Sequence, residues 1–362
     1  MNELENARQT INEVDREFAR LFEKRMKAVK EVAAYKREHG LQIFDPEREE
    51  TVLKQNSALV ENEQLRSYFV QFLNANMTIS KAYQARLLEG MRVAFCGTEG
   101  AFAALAAGKI FPQAKKCGYA TFEKAYEAVE KGECDAAVLP LENSLGGEVG
   151  RVMDLSFFGS LFINGVYEIE VVHNLLGVPG ASLSDVRTVI SHPQALSQCD
   201  RYLSKGAFQL VEAENTALAA KEVAEKGDPA FAAVASEEAA RAFGLTVLES
   251  HINEKGSNTT RFGVFSRTAK NPSPRDSRFI LVFTVKNEAG SLAKAVSAIG
   301  EGGFNLRALK SRPTKDLNWE YYFFVEGEGD LTSLAWETTQ KKLEKQCRDL
   351  KILGSFEKDI VL

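Results

Sequence analysis

Residues 79–102 read ISKAYQARLLEGMRVAFCGTEGAF, and the texture changes in the middle of them. Before Gly90 the run holds neither glycine nor proline and suits a helix. From Met91 the β-rich RVAFCG gives way to the Ala-rich AFAALAAGKIF. A chain that changes period this sharply carries more than one kind of domain. The length agrees, because 362 residues at roughly 150 per domain leave room for two to three.

Upstream of the change, residues 1–90 contain only Gly40, Gly90 and Pro46 as helix breakers. Leu4, Ile11, Val14, Phe18, Leu21, Phe22, Val29 and Val32 recur at helical spacing, which predicts a long amphipathic helix. Asp45-Pro46-Glu47 restarts the pattern with an N-cap acid, a first-position proline and a first-turn acid. A third helical run covers residues 64–88. Three helices in a row with one long member leave an apolar stripe uncovered, so a partner chain is expected to cover it.

Downstream, RVAFCG, AFAALAAGKIF, DAAVLPLENS, EIEVVHNLLGV, TVISH, ALAAKEVAEK and AFAAVAS predict an α/β domain with a parallel sheet over residues 91–270. The Pro/Ser-rich NPSPRDS at 271–277 reads as a linker. Residues 278–362 run strand, helix, strand, strand, helix, strand, the ferredoxin-like plan of small-molecule sensors.

Hydrophobic residues at 44% and charged residues at 26% exclude wholesale disorder. Forty-five basic against fifty acidic residues give a net charge of -5, which argues against a nucleic-acid partner. No window is apolar enough for a membrane span and MNELENARQT is no export signal, so the expected location is the cytoplasm. Five cysteines without a CxxC and four scattered histidines suggest reduced thiols, no metal and no cofactor.

Arg25 and Lys36 lie eleven residues apart, which on a helix is about 20° from a common face and about 16 Å of rise. Two long cations so placed can bracket a small anion. Arg8 lies seventeen residues before Arg25, about 25 Å along the axis, and cannot reach the same ligand within its own chain.

The runs Arg8-Gln-Thr-Ile, Glu-Lys-Arg25, Tyr-Lys36, Asp45-Pro-Glu-Arg48-Glu49 and Ile-Ser80-Lys-Ala-Tyr-Gln84 resemble the all-helical chorismate mutase family over nearly all of 1–90. The resemblance implies a homodimer, swapped so that Arg8 of one chain completes the site of the other, and leaves open whether dimers pair into tetramers. It implies that Arg25 and Arg8 clamp the carboxylates of chorismate with Arg48 nearby. Lys36 and Gln84 would donate to the ether oxygen, Glu49 and Asp45 hold the ring hydroxyl and its surroundings, and Ser80 add a carboxylate contact.

In the α/β zone, Pro140-Leu-Glu142-Asn143-Ser144, His173-Asn-Leu-Leu, Ser191-His192-Pro-Gln194 and Asn258-Thr259-Thr260-Arg261-Phe262 fall at strand ends, where clefts of open sheets lie. A triad of Ser144, His192 and Glu142 is disfavoured, because no nucleophile-elbow glycines flank the serine. Together with FCGTEGAF, HNLLGVPGA, Gln198-Cys199, Glu214-Asn-Thr216 and AAVAS, these clusters resemble prephenate dehydratase over about 91–268. That family has two lobes of the periplasmic-binding-protein type with the site between them. The resemblance implies that Thr260 is the residue most tied to catalysis, with Thr259 beside it. Glu142, Asn143, Ser144, Ser191 and Gln194 would line the site, and Arg261 would stabilise its loop or pair with a carboxylate. Ala103 stands where the family usually carries a hydroxyl.

Gly290-Ser291-Leu292, Asn305-Leu306 and Lys310-Ser311-Arg312-Pro313 resemble the ACT domain attached to dehydratases, which implies phenylalanine as effector, bound between two such domains. Lys310 replaces the family's usual glutamate and Ser291 its usual alanine. A bifunctional enzyme of phenylalanine biosynthesis, acting on chorismate and prephenate, is the leading expectation. A solute-binding or regulatory protein that kept the cleft and lost the chemistry is the rival, supported only by Ala103 and Lys310.

Overall fold

The computed structural model describes residues 2–254, 258–314 and 320–362. The chain divides into two compact units, Met1–Arg92 and Val93–Leu362. The first consists of α1 (Glu3–Glu38), α2 (Pro46–Ser57) and α3 (Glu63–Glu89). Asn2 and Glu5 start α1 with a reciprocal capping box. Asp45 caps α2, its Oδ1 accepting from the Arg48 N–H at 3.0 Å ahead of the first-turn Pro46. Only Ala33 on α1 and Met77, Ser80 and Gln84 on α3 are buried, and α2 buries nothing. Phe18, Leu21 and Phe22 stay about half exposed at 51%, 52% and 42%, so the apolar stripe expected from the sequence is uncovered in one chain.

The second unit opens with β1 (Arg92–Cys96), α4 (Phe102–Ile110), β2 (Lys115–Tyr119), α5 (Phe122–Glu130), β3 (Ala136–Asn143), β4 (Gly147–Glu148), α6 (Gly150–Phe158) and β5 (Phe162–Glu170). The chain then builds a second lobe from β6 (Asn174–Gly177), β7 (Thr188–Ser191), α7 (Pro193–Gln198), α8 (Asp200–Leu203), β8 (Gln209–Glu212), α9 (Thr216–Lys226), β9 (Phe231–Ala235), α10 (Glu237–Phe243) and β10 (Thr246–Glu249). It returns to the first lobe through β11 (Thr259–Ser266).

The sheet orders are β16-β5-β11-β3-β1-β2, with β4 on β3, and β10-β6-β9-β7-β8, where β16 is the closing strand Ile360–Val361. Neither is the all-parallel sheet expected. β1 runs parallel to β3 and β7 parallel to β8 and β9, but β11 is antiparallel to β3 and β5, and β6 to β9 and β10. The chain crosses between lobes twice, and β6 and β11, the strands that follow the crossings, enter against the direction of their neighbours. EIEVVHNLLGV, read as one strand, is one of those crossings: it ends β5, breaks at residues 171–173 and begins β6 in the other sheet.

Residues beyond the NPSPRDS segment form β12 (Arg278–Val285), α11 (Ser291–Glu301), β13 (Asn305–Pro313), β14 (Tyr321–Glu328), α12 (Leu334–Gln346) and β15 (Cys347–Phe356), an antiparallel sheet in the order β13-β14-β12-β15. Alternation along β12 divides its side chains between two cores. Phe279, Leu281 and Phe283 pack under α11 and α12 with Trp336 and Leu343, whereas Ile280 and Val282 join Leu139, Met153 and Ile163 of the first lobe. Tyr322, Phe324, Leu353 and Phe356 enter that same first-lobe core. At roughly 1.5–3 kcal/mol for each such side chain, separating the sheet would cost about as much as a domain's whole net stability. The C-terminal zone is therefore built into the α/β body. Gly354 makes the closest approach, since a Cβ there would lie 1.9 Å from the Ile163 carbonyl oxygen. Among the described residues no helix is long and apolar enough to cross a membrane.

Candidate active sites

Within the helical unit, α1, α2 and α3 enclose a cleft of about 670 Å³ lined by Arg25, Lys36, Asp45, Arg48, Glu49, Ser80 and Gln84. Arg25 donates to the Ser80 hydroxyl and, at 3.4 Å, to the Asn76 carbonyl, which turns the guanidinium inward; burial lowers its pKa. Lys36 Nζ donates to the Ile43 carbonyl at 2.6 Å, so its ammonium is held on the rim by the loop before α2. Glu49 pairs with Lys81 at 2.8 Å, and the Lys81 ammonium also sits 4.9 Å from the centre of the Phe44 ring. Lys81 was not singled out from the sequence, although it stands inside the ISKAYQ run. Gln84 is buried, and its Oε1 has no hydrogen-bond partner. Arg8 is exposed and does not line the cleft, as its distance along α1 requires.

Between the two lobes lies a second cleft of about 330 Å³. Asn143 and Thr260 face each other across the β3–β11 ladder, and Pro140 faces Phe262; all four line the cleft. A register shift makes Leu141 an extra residue on β3, so positions 140 and 143 reach the same face although strict alternation would separate them. Glu142 and Arg261, also directly opposed, point to the other face. There Arg261 makes a two-pronged pair with Glu326 at 3.0 and 2.9 Å and reaches Asp359 at 2.9 Å and Glu142 at 3.5 Å. Burial works against its charge, yet Glu326, Asp359 and Glu142 raise its pKa. Glu142 is thus not in the cleft lining where the sequence reading put it, and Arg261, expected to stabilise the loop or pair with a carboxylate, pairs with protein carboxylates behind the cleft, because a side chain next to Thr260 on a strand takes the opposite face.

Ser191 is also corrected: it is fully buried and donates to the Val234 carbonyl at 2.6 Å, joining neighbouring strands. Ser144 and Thr259 do not line the cleft; the Ser144 hydroxyl accepts from the Thr259 N–H at 3.0 Å and ties the loop after β3 to the start of β11. Gln194 does line it, reaching over from the second lobe. A Cβ at Gly146 would lie 2.2 Å from the Gln194 Nε2, so any larger residue there would have to push the Gln194 amide aside. Ala103 lines the cleft as well. His192 acts as a cap, its Nδ1 accepting from the Gln194 N–H at 3.1 Å, and makes no triad with Ser144.

Asn143 organises the floor. Its Oδ1 accepts from the Leu145 and Gly146 N–H groups at 3.0 and 2.8 Å, and its Nδ2 donates to Thr260 Oγ1 at 2.9 Å and Asn258 Oδ1 at 2.8 Å. Asn258, Gln198 and His173 belong to this network but were not named as site residues from the sequence, although each stands in a quoted motif. Cys96 lines the cleft as a thiol: burial, then Glu123 and Glu214, pushes its pKa up to about 11.

In the C-terminal sheet, Gly290 adopts φ +83° as the N-cap of α11, with the Ser291 N–H donating to the Glu288 carbonyl at 3.1 Å. Leu292 packs against the core under α11 and α12, Asn305 donates to Glu328 at 3.1 Å, and Leu306 and Ser311 pair with Gly327 and Phe323. Arg312 was expected to meet an effector, but its guanidinium grips Asp154 of α6 at 2.8 and 3.2 Å. Lys310, two residues earlier and so on the same face, meets Glu142 at 2.9 Å. Among the described residues no group of acidic, cysteine and histidine side chains could hold a metal.

A cationic helical cleft and an amide-floored cleft between α/β lobes define an enzyme with two separate active sites. The sequence matches the family "Chorismate mutase type II" over residues 7–85 and "Prephenate dehydratase" over 93–270. It is 32% identical to the bifunctional chorismate mutase/prephenate dehydratase of Aquifex aeolicus, over 100% of this chain and 99% of that one. Solved structures that resemble the chain include the following two. One is titled as GqqA, a novel type of quorum quenching acylase (32% identity, TM-score 0.68, 73% of this chain and 97% of the other). The second is prephenate dehydratase from Arthrobacter aurescens in complex with L-Phe (25% identity, TM-score 0.69, 75% and 93%). The chain belongs to the bifunctional chorismate mutase/prephenate dehydratases, enzymes of phenylalanine biosynthesis.

Proposed function

We propose that the helical cleft binds chorismate in its reactive chair and that Lys36 and Gln84 stabilise the negative charge that grows on the ether oxygen as the C–O bond breaks. The rearrangement to prephenate is pericyclic, so confinement and electrostatics suffice and no nucleophile is needed. Arg25, with Arg48 nearby, supplies cations for the carboxylates, Ser80 adds a contact, and Glu49 and Asp45 hold the ring hydroxyl and its surroundings. Gln84, buried with an unpartnered oxygen, supports this reading, because rotation of its amide would present a donor instead.

Arg8 comes from a second copy. The half-exposed Phe18, Leu21 and Phe22 and the nearly coreless helices support a homodimer that covers this stripe. Complementation tests the swap: mixed and re-annealed Arg8→Ala and Lys36→Ala chains should recover about a quarter of wild-type mutase activity, since half the dimers are mixed and each has one intact site. No recovery sinks it.

Prephenate, the product, goes to the interlobe cleft of the same kind of chain. There the C–CO₂ bond pair moves into the ring, hydroxide leaves C4 with its pair and takes up a solvent proton, and phenylpyruvate, carbon dioxide and water result. Aromatisation drives the step, so the protein's part is to hold the carboxylates and offer a donor to the departing oxygen. The observation that carries this is the Asn143 Nδ2 donation to Thr260 Oγ1, which leaves the threonine hydrogen for substrate. Gln194 lines the site from the second lobe. Feeding chorismate and following prephenate and phenylpyruvate tests both sites at once.

The C-terminal sheet is an ACT-type sensor of ferredoxin-like plan that binds phenylalanine near Gly290–Leu292 and Asn305–Leu306. The L-Phe complex of the Arthrobacter relative supports the choice of effector. Calorimetry with phenylalanine, together with dehydratase rates in its presence, tests the role. We place the enzyme in the cytoplasm.

A further inference from the structure

We propose that His173 is a positioning residue for dehydration: its N–H braces the Gln198–Asn258 pair against Asn143, and so holds the Asn143 amide, whose sense the Leu145 and Gly146 N–H groups set, in place beside the Thr260 hydroxyl. The proposal rests on the assignment of Thr260 as the donor to the leaving oxygen.

The chain of contacts is continuous. His173 Nε2 lies 2.9 Å from Gln198 Oε1, Asn258 Nδ2 donates to that same Oε1 at 2.8 Å, Asn143 Nδ2 donates to Asn258 Oδ1 at 2.8 Å, and Asn143 Nδ2 also reaches Thr260 Oγ1 at 2.9 Å. An amide or an imidazole can normally be turned over without changing its shape, so such a chain has no sense of direction by itself. Here the backbone supplies one. The Leu145 and Gly146 N–H groups can only donate, so the atom of Asn143 that faces them is the oxygen. Its amino group therefore faces Asn258 Oδ1 and shares its second hydrogen between Thr260 Oγ1 and the Thr259 carbonyl at 3.1 Å. Asn258 must then accept with Oδ1 and donate with Nδ2, Gln198 must present Oε1, and His173 must carry its proton on Nε2.

Each link forbids the alternative at the next, since two donors or two acceptors would otherwise meet in a buried place. Asn258 is 1% exposed and His173 3%. Burial lowers the His173 pKa although the Gln198 bond opposes this, so the ring is neutral and has one N–H to place. That N–H goes to Gln198, and the Nδ1 is left buried with no partner. Phe102 holds the ring edge-on, with centroids 5.6 Å apart. At the other end, Thr260 Oγ1 accepts from Asn143 and lines the cleft, which leaves its own hydrogen for an acceptor bound there. A substrate oxygen there meets a donor held in place, which is where such a dipole assists most. Gln198 and His173 lie on the second-lobe side and Thr260 on the first, so the ordered chain also spans the cleft and is complete only with both lobes in place.

The test uses the full-length enzyme. His173→Phe keeps a ring but removes the N–H, whereas in His173→Gln the side-chain Nε2 can replace the imidazole Nε2 as donor to Gln198. Dehydratase kcat should fall at least about tenfold in His173→Phe with KM for prephenate within about threefold, and His173→Gln should restore most of it. Mutase rate gives the amount of enzyme in each preparation, and near-ultraviolet circular dichroism with thermal unfolding reports that the α/β body has folded. Nitrogen NMR of the wild type should show the Nε2–H tautomer. A kcat unchanged in His173→Phe, an effect in KM alone, no rescue by glutamine, or an Nδ1–H tautomer each overturns the proposal. Thr260→Ala measured beside them separates the two ideas: if it stays active, the Thr260 assignment itself falls; if it is inactive while His173→Phe is normal, only the positioning role falls.

Discussion

Lys310 on β13 places its ammonium 2.9 Å from the carboxylate of Glu142 on β3, one residue from the Asn143 that orients Thr260. Glu148 lies 3.9 Å from the same ammonium, and Arg312 reaches both Glu148 and Asp154. The sheet proposed as the sensor thus holds the back of the strand that floors the dehydratase cleft. Lys310→Glu puts like charges together at this contact. We expect it to destabilise the chain by about 1–3 kcal/mol, to lower dehydratase kcat/KM and to leave the mutase rate unchanged. Thermal unfolding and the two assays check this, and a dehydratase indifferent to the reversal would mean the pair transmits nothing.

Arg261 separates a structural from a substrate-binding role. Glu326 and Asp359 are almost wholly buried around it, with side chains 8% and 9% exposed. Arg261→Met strands both carboxylates, and the expected loss is about 3–5 kcal/mol in denaturant unfolding. Were the guanidinium a substrate contact instead, prephenate KM would rise with stability intact.

Thr260→Ala removes the cleft hydroxyl and should lower dehydratase kcat by about 100-fold or more, while Thr260→Ser, which keeps the donor, should retain most of it. Mutase activity is the internal control. Equal activity of the alanine and serine variants would discard the donor role.

Lys36→Ala should lower mutase turnover by about two orders of magnitude or more without disturbing the dehydratase rate, since the side chain serves the cleft and one bond to the Ile43 carbonyl. Near-normal mutase kinetics in this variant would reassign the ether-oxygen contact.

Asp276 gives a pH prediction. It lies in the NPSPRDS segment read as a linker, yet it is buried, and the Ser273 N–H, the Ser355 hydroxyl and Lys270 all donate to it. Burial disfavours its charge, but these donors outweigh that and hold the carboxyl below its ordinary range. A depressed acid stabilises the fold fully above its unfolded pKa of about 3.9, and that contribution is lost as pH falls through the folded value. Asp276→Asn should therefore lower stability at neutral pH and flatten the acid limb of an unfolding titration. An unchanged limb would show that the aspartate is not a stabilising anchor.

Much of this molecule is determined locally. The capping box at Asn2, the Asp45-Pro46 start, and the change of texture at Met91 are written in neighbouring residues, because caps and periods are short-range properties. So is the cationic face of Arg25 and Lys36, which helix geometry alone predicts. What the sequence could not decide is which face a strand residue takes once a register shift intervenes. That shift at Leu141 puts Pro140 and Asn143 in the cleft, while Glu142 and Arg261 go to the ion-pair network behind it. Nor could it show that Ser191 would serve the core, that the supposed linker is pinned by Asp276, or that Lys310 would meet Glu142 across 168 positions of chain. These depend on long-range packing, in which a polar group goes wherever the assembled fold can satisfy it.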